Sequence, residues 1–271
     1  MIENWAARAF NQDPESPNEI HGDDLAQKYG FEGGLVPGVT ISAYITHPAV
    51  EYWGADFLER GHAHVKVVKP LYDGEDFRVE IDEQSATGYR ARLLRAADVV
   101  SAQATVGIND DLPNPPRRRG DPVAARDYTP PKSSRTIWEL LRAQGCKAFR
   151  YHWGGEHKMS SYLHDPNGMP QLLRGENAFA NMSFILALSN FSADGNATMN
   201  PWVHLETRSQ NFRAIAPGTD IIAETAVVDL FEKKGHEFFD AEVNLFDAAD
   251  DGCLTTIWLR AIYHLAGSQG G

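Results

Sequence analysis

The stretch Asn18 to Thr40 reads NEIHGDDLAQKYGFEGGLVPGVT, and here residue types and spacing come closest to chemistry. His21 lies in a polar loop, Asp23 to Tyr29 form a short helical turn, and Gly33, Gly34 and Gly38 lead into an apolar run of helical length. A histidine titrates close to neutrality and can give or take a proton. Glycines let the backbone approach a ligand closely, and the first amides of the helix after Gly38 have no intrahelical acceptor, so they can donate to an oxyanion. A candidate general base thus stands beside a candidate oxyanion hole. Ser16 or Asp23 can cap the turn, and Asp23 reads first as a residue holding the loop and second as a proton carrier.

Other residues carry weaker signals. Tyr44, Thr46 and His47 lie one to two turns into the helix after Gly38; Thr46 is a candidate to face a pocket, and Tyr44 reads as core. His62 and His64 share one strand face, but no third ligand is evident nearby, so they read as a surface pair and no metal site is expected. The segment Tyr151 to Asp165, YHWGGEHKMSSYLHD, is a candidate lid. Arg117, Arg118 and Arg119 read as solvated charge in a linker, with a phosphate contact as the sharper alternative. Asn177 is a candidate polar contact at a second helix start, and Trp53 and Phe179 are candidates for limiting the length of a bound chain.

These residues need elements to hold them. Asp110 to Ser134, DDLPNPPRRRGDPVAARDYTPPKSS, is rich in Pro and charge and reads as a linker. Before it the run VTISAYITHPAVEYWGADFLERG has a helical apolar stripe, with Pro48 expected to kink or divide it. Strand-like segments follow: HAHVKVVKPL, FRVEI, YRARLLRAADVV and SAQATVGI, with turn signals at Asp73-Gly74 and Thr87-Gly88. After the linker the same order recurs. ENAFANMSFILALSNF is the helix; WVHLETRSQNFRAI, DIIAETAVVDLFEKK, HEFFDAEVNLFDA and TTIWLRAIYHL are the strands, with a hairpin at Lys234-Gly235. Each half is therefore a long helix followed by antiparallel strands, an α+β arrangement. The expected divisions are 1–112, a linker at 113–134, and 135–271. Two such halves can pack as an intramolecular two-fold pair; two independent domains on a tether are the alternative.

Composition narrows the function. A net charge of -12 argues against a general nucleic-acid binder, which needs a basic footprint. Cys146 and Cys253 are far apart and give no disulfide framework or zinc motif. The first residues lack a basic start followed by an apolar run, and no apolar stretch approaches the ~20 residues of a membrane helix. A soluble, cytoplasmic chain without membrane contact is expected, with a homodimer possible. GFEGGLVPG follows no strand of the dinucleotide type, so NAD is rejected and no cofactor is expected.

The His21 segment resembles the MaoC-like hydratase and dehydratase (hydratase-2) family of hotdog proteins. The family pattern D-x-N-P-hydrophobic-H-x-D, then A, G-F and a glycine opening the central helix, is matched by Asn18, Ile20, His21, Asp23, Ala26, Gly30, Phe31 and Gly38. The resemblance implies a double hotdog fold, each half a central helix wrapped by an antiparallel sheet. It also implies an acyl-CoA or acyl-carrier thioester substrate bound between the two hotdogs. By position, His21 is then the general acid/base and the Gly38 amide polarises the thioester carbonyl. Two positions depart from the pattern: the family's catalytic aspartate falls on Ser16, and its proline on Glu19. Serine cannot do a carboxylate's work, and Asp13, Glu15 and Asp23 are the candidates to replace it. The site expected from sequence is His21, Asp23 and Gly38 for catalysis, with Ser16, Asn18 and Thr46 around the substrate. The expected activity is reversible hydration of an enoyl thioester, with an acyl-CoA thioesterase or a catalytically silent acyl-binding or partner subunit as alternatives.

Overall fold

Two helices that are apolar on almost every side organise the chain: α1 (Gly38–Trp53) and α4 (Met182–Asn196). A helix without a polar face must be buried, and all residues from Val39 to Val50 of α1 are. The computed structural model describes residues 1–16, 18–22, 26–27, 31–154 and 157–266. Among these, α2 (Ala55–Arg60) and α3 (Arg135–Gln144) complete the α-helices of four or more residues outside the His21 loop, and no helix is long and apolar enough to cross a membrane.

The strands are β1 (Trp5–Arg8), β2 (Gly61–Val67), β3 (Asp76–Gln84), β4 (Gly88–Arg95) and β5 (Val99–Ile108) in the first half. The second half has β6 (Phe149–Trp153), β7 (Val203–Asn211), β8 (Thr219–Lys233), β9 (His236–Asp247) and β10 (Cys253–His264). They form one antiparallel sheet in the order β1-β3-β4-β5-β2-β7-β10-β9-β8-β6. The order β1-β3-β4-β5-β2 is repeated in mirror sequence as β6-β8-β9-β10-β7, so the halves are copies joined at their inner edges. The join is the antiparallel pair β2 and β7, in register from His62 opposite Gln210 to Lys66 opposite Glu206. This continuous sheet excludes two bodies on a loose tether.

The helices meet inside the curled sheet. Near their N-termini the Gln12 Oε1 accepts from both Thr40 Oγ1 (2.5 Å) and Ser183 Oγ (2.7 Å), one hydroxyl from each central helix. The Lys234-Gly235 hairpin forms as expected, with both residues at positive φ as a two-residue turn of this kind requires.

Three expectations need correction. Pro48 neither divides nor ends α1: burial on every side holds the helix together, and Tyr89 Oη donates to the Ile45 carbonyl (2.8 Å) in the same turn. Arg118 and Arg119 are not freely solvated. Glu224, fully buried on β8, accepts from the backbone N–H groups of Arg119, Gly120 and Asp121 at 2.7–3.0 Å, while Arg118 reaches Asp251 and Arg119 reaches Asp121. The linker is thereby fastened to the second sheet. Helix α3, capped by Ser134, adds Trp138 to that sheet's outer side, stacked on Phe239 at 4.6 Å. Asn177 does not begin the second helix: it is exposed, and Asn181 is the cap, accepting from Phe184 N (3.1 Å).

Candidate functional site

His21 ends a single 3-10 turn, Glu19–His21, that leans on the other half of the molecule. Ile20 is buried in a small cluster with Leu35, Phe238, Ile262 and Leu265, the last three from β9, β10 and the segment after them. Asn18 fastens the turn from the other side: its Nδ2 donates to the Trp202 carbonyl (3.0 Å), and its Oδ1 accepts from Trp202 N (3.1 Å). Asn18, expected to meet substrate, thus spends its amide mainly on holding the loop.

The imidazole is oriented by the chain itself. His21 Nδ1 lies 2.7 Å from the Leu35 carbonyl oxygen, which can only accept, so Nδ1 carries the proton. Nε2 is left as the acceptor, with Asn18 Nδ2 at a long 3.4 Å. Burial pushes the His21 pKa below the ordinary histidine value; the Leu35 bond and the charge of Asp13 oppose the shift without cancelling it. The ring is therefore neutral at pH 7, with a fixed tautomer.

Two clefts meet at this ring. One, about 290 Å³, is largely apolar, with Phe31, Val36, Ile41, Val67, Leu205 and Ile262 among its walls. The other, about 190 Å³, has a polar wall that includes Asp13, Ser16, Lys158 and Asp194. His21, Asn18, Pro37, Asn190 and Trp202 line both. Gly38, the first residue of α1, lines the apolar cleft beside them. Its missing side chain is required by packing, since a Cβ there would lie 2.9 Å from Cδ2 of His204.

Ser16 borders the polar cleft, and its Oγ accepts from Asn18 N (3.3 Å). Among the described residues no carboxylate forms a hydrogen bond to His21, and the two that share its polar cleft come from different halves. Asp13 is ion-paired to Lys158 Nζ at 2.5 Å. Asp194, on α4, accepts from Met199 N (2.7 Å), and burial raises its pKa above the usual carboxylate range. Glu15 is exposed and borders neither cleft. Asp23, like Gly30 of the sequence pattern, lies outside the described residues.

Thr46 is not brought to the clefts. It is buried in α1, and its hydroxyl donates back to the Ser42 and Ala43 carbonyls. Trp53 and Phe179 also stay away from the clefts, packed against the main core. His47 is buried between Trp5, stacked at 3.7 Å, and Tyr162 Oη at 2.9 Å. His64 is bonded to Glu206 across the β2–β7 seam at 2.6 Å. From the histidine-rich segment, Lys158 and Met159 reach the polar cleft, while Gly155 and Glu156 lie outside the described residues.

Sequence reasoning placed its catalytic residues in the first half and so missed Asn190, Asp194 and His204, while Lys158 lies in the segment read as a candidate lid. One signal was available: Asn190 and Asp194 stand four apart, on one face of a largely apolar helix whose other polar residues are Asn196 and three serines.

No family model matches the chain, and no curated protein matches it. Solved structures do. A conserved Mycobacterium tuberculosis protein with a double hotdog fold superposes with a TM-score of 0.60 at 10% identity, covering 97% of this chain and 95% of that one. A Chloroflexus aurantiacus protein assigned as a MaoC domain dehydratase gives 0.59 at 9% identity, covering 97% and 96%. A tesB protein of Mycobacterium avium subspecies paratuberculosis gives 0.50 at 11% identity, covering 97% and 93%. The chain has the double hotdog fold. Identities this low carry the fold alone.

Proposed function

We propose that this chain is an acyl-thioester hydratase/dehydratase, acting on an enoyl-CoA or enoyl-carrier substrate. The observation that carries the reading is a neutral imidazole of fixed tautomer where an apolar cleft meets one whose wall includes charged and polar side chains. The apolar cleft suits an acyl chain, and the polar cleft suits water and the thioester end.

In the dehydration direction His21 Nε2 takes the α-proton as the Cα–H bond breaks. Negative charge gathers on the thioester oxygen, where the Gly38 N–H donates to it. The enolate then expels the β-hydroxyl, which accepts a proton from the Asp194 carboxyl and leaves as water. Hydration is the reverse: Asp194 as carboxylate takes a proton from water as its oxygen adds to Cβ, and His21 returns a proton to Cα. The raised pKa of Asp194 suits a group that must be both acid and base. It does from α4 what the aspartate absent at Ser16 would do from the loop.

A second reading is thioester hydrolysis, with Asp194 directing water at the carbonyl carbon. It is favoured by the lack of any hydrogen bond between His21 and a carboxylate among the described residues. A crotonyl thioester distinguishes the readings when enoyl absorbance and free thiol are followed together. Loss of absorbance without thiol supports hydration. Thiol release supports hydrolysis and contradicts the proposal, and neither change across several acyl lengths supports a silent acyl-binding subunit.

A further inference from the structure

His204, on β7, is buried and bonded at both ring nitrogens. Nδ1 lies 3.0 Å from Asn190 Oδ1, and Nε2 meets Thr207 Oγ1. Burial lowers its pKa to about 3, so the ring is neutral and carries a single proton. An amide oxygen only accepts, which puts that proton on Nδ1 and makes Nε2 the acceptor of the Thr207 hydroxyl. The donors therefore run one way, from Thr207 to His204 to Asn190.

This relay has a consequence in the clefts. With its oxygen held by His204, the Asn190 carboxamide keeps its NH2 group for other partners, and among the described residues no acceptor meets it. Asn190 lines both clefts where they join at His21. The same His204 ring packs against Gly38, so the Gly38 amide and the Asn190 amide flank one imidazole.

We propose that Asn190 is the second hydrogen-bond donor to the thioester carbonyl oxygen, complementing Gly38, and that Thr207 and His204 are positioning residues that keep its NH2 turned to the cleft. The proposal rests on the thioester reading above and adds a substrate-contacting residue from the second half. It makes the oxyanion site two-sided, with one donor from each central helix.

The test uses the full chain with butyryl-CoA carrying 13C at the carbonyl, and infrared difference spectra of the bound thioester. In the wild type the labelled carbonyl band is expected to move to lower wavenumber on binding. In Asn190→Asp and Thr207→Val most of that shift is expected to disappear, with crotonyl-CoA hydration slowed roughly 10²-fold in kcat and KM changed only a few-fold. Thr207→Ser keeps the hydroxyl and is expected to restore both, which a packing role for the threonine methyl would not. If Asn190→Asp fails to fold by thermal melting, the Thr207 pair decides alone. An unchanged band and unchanged kcat in these variants, while His21→Ala abolishes turnover, would overturn this inference and leave the thioester reading standing. Failure of butyryl-CoA to bind, or full turnover in His21→Ala, would overturn both.

Discussion

The Leu35 carbonyl decides what His21 can do. By accepting from Nδ1 it selects the tautomer with Nε2 unprotonated, and the surrounding burial keeps that form neutral. Because the pKa lies below the ordinary value of 6.5, the base form persists as pH falls through that value. For dehydration of a 3-hydroxyacyl thioester, where His21 is the base, the acid limb of kcat/KM against pH is therefore expected below 6.5, and a limb at or above it would contradict the assignment. Removing the ring in His21→Ala should slow turnover by about 10²- to 10⁴-fold, the usual contribution of a general base. His47 belongs to stability instead. Its pKa is lowered to about 3 by burial, so the unfolded chain binds the proton first as pH drops. The stability that follows from a neutral His47 is complete above about pH 6.5 and is lost as pH falls toward 3. The rate of loss is about 1.4 kcal/mol per pH unit for one such group. In acid-dependent denaturant unfolding, His47→Gln should show a shallower slope over that window; an identical slope would refute the assignment.

At the scale of elements, the linker shows how a local sequence can mislead. Pro and Arg in Pro113 to Gly120 read as solvated, yet Glu224 lies beneath them with its carboxylate capped by three backbone amides. A buried carboxylate stripped of its partners, or partners stripped of their carboxylate, is costly. Glu224→Ala is expected to lose roughly 3–5 kcal/mol in denaturant unfolding, and a loss under 1 kcal/mol would show the linker is not held in this way. The strands and hairpins were legible because alternation and turn residues are local signals: Lys234-Gly235 and the runs that became β7 to β10 are examples. β1 was not, since four residues owe their strand to pairing with β3 rather than to their own pattern. Nor was the unbroken α1 across Pro48, because packing around the whole helix outweighs the one amide that proline lacks. The first-half side of the site, His21 beside Gly38, was legible for a related reason: loop, glycines and helix start are contiguous. Asn190, Asp194 and His204 were not, because nothing local says that the N-terminal loop leans on the second half.

The whole molecule supplies what the loop alone cannot. Joining the halves at β2 and β7 places α1 beside α4, and Ile20 and Asn18 seat the His21 turn against Phe238, Ile262 and Trp202. On the proposed reading, a base and an amide from the first half share the clefts with a carboxyl from the second, which makes the site asymmetric within a duplicated fold. In that arrangement the proposed chemistry turns on the transfer of one proton at Cα. The direct measurement is hydration of a crotonyl thioester in D2O, with the product analysed by mass and by NMR at C2. One deuterium is expected to be fixed at C2 per turnover in the wild type, with the thioester intact and incorporation all but lost in His21→Gln. Release of free thiol with no deuterium at C2, or undiminished incorporation in His21→Gln, would contradict it.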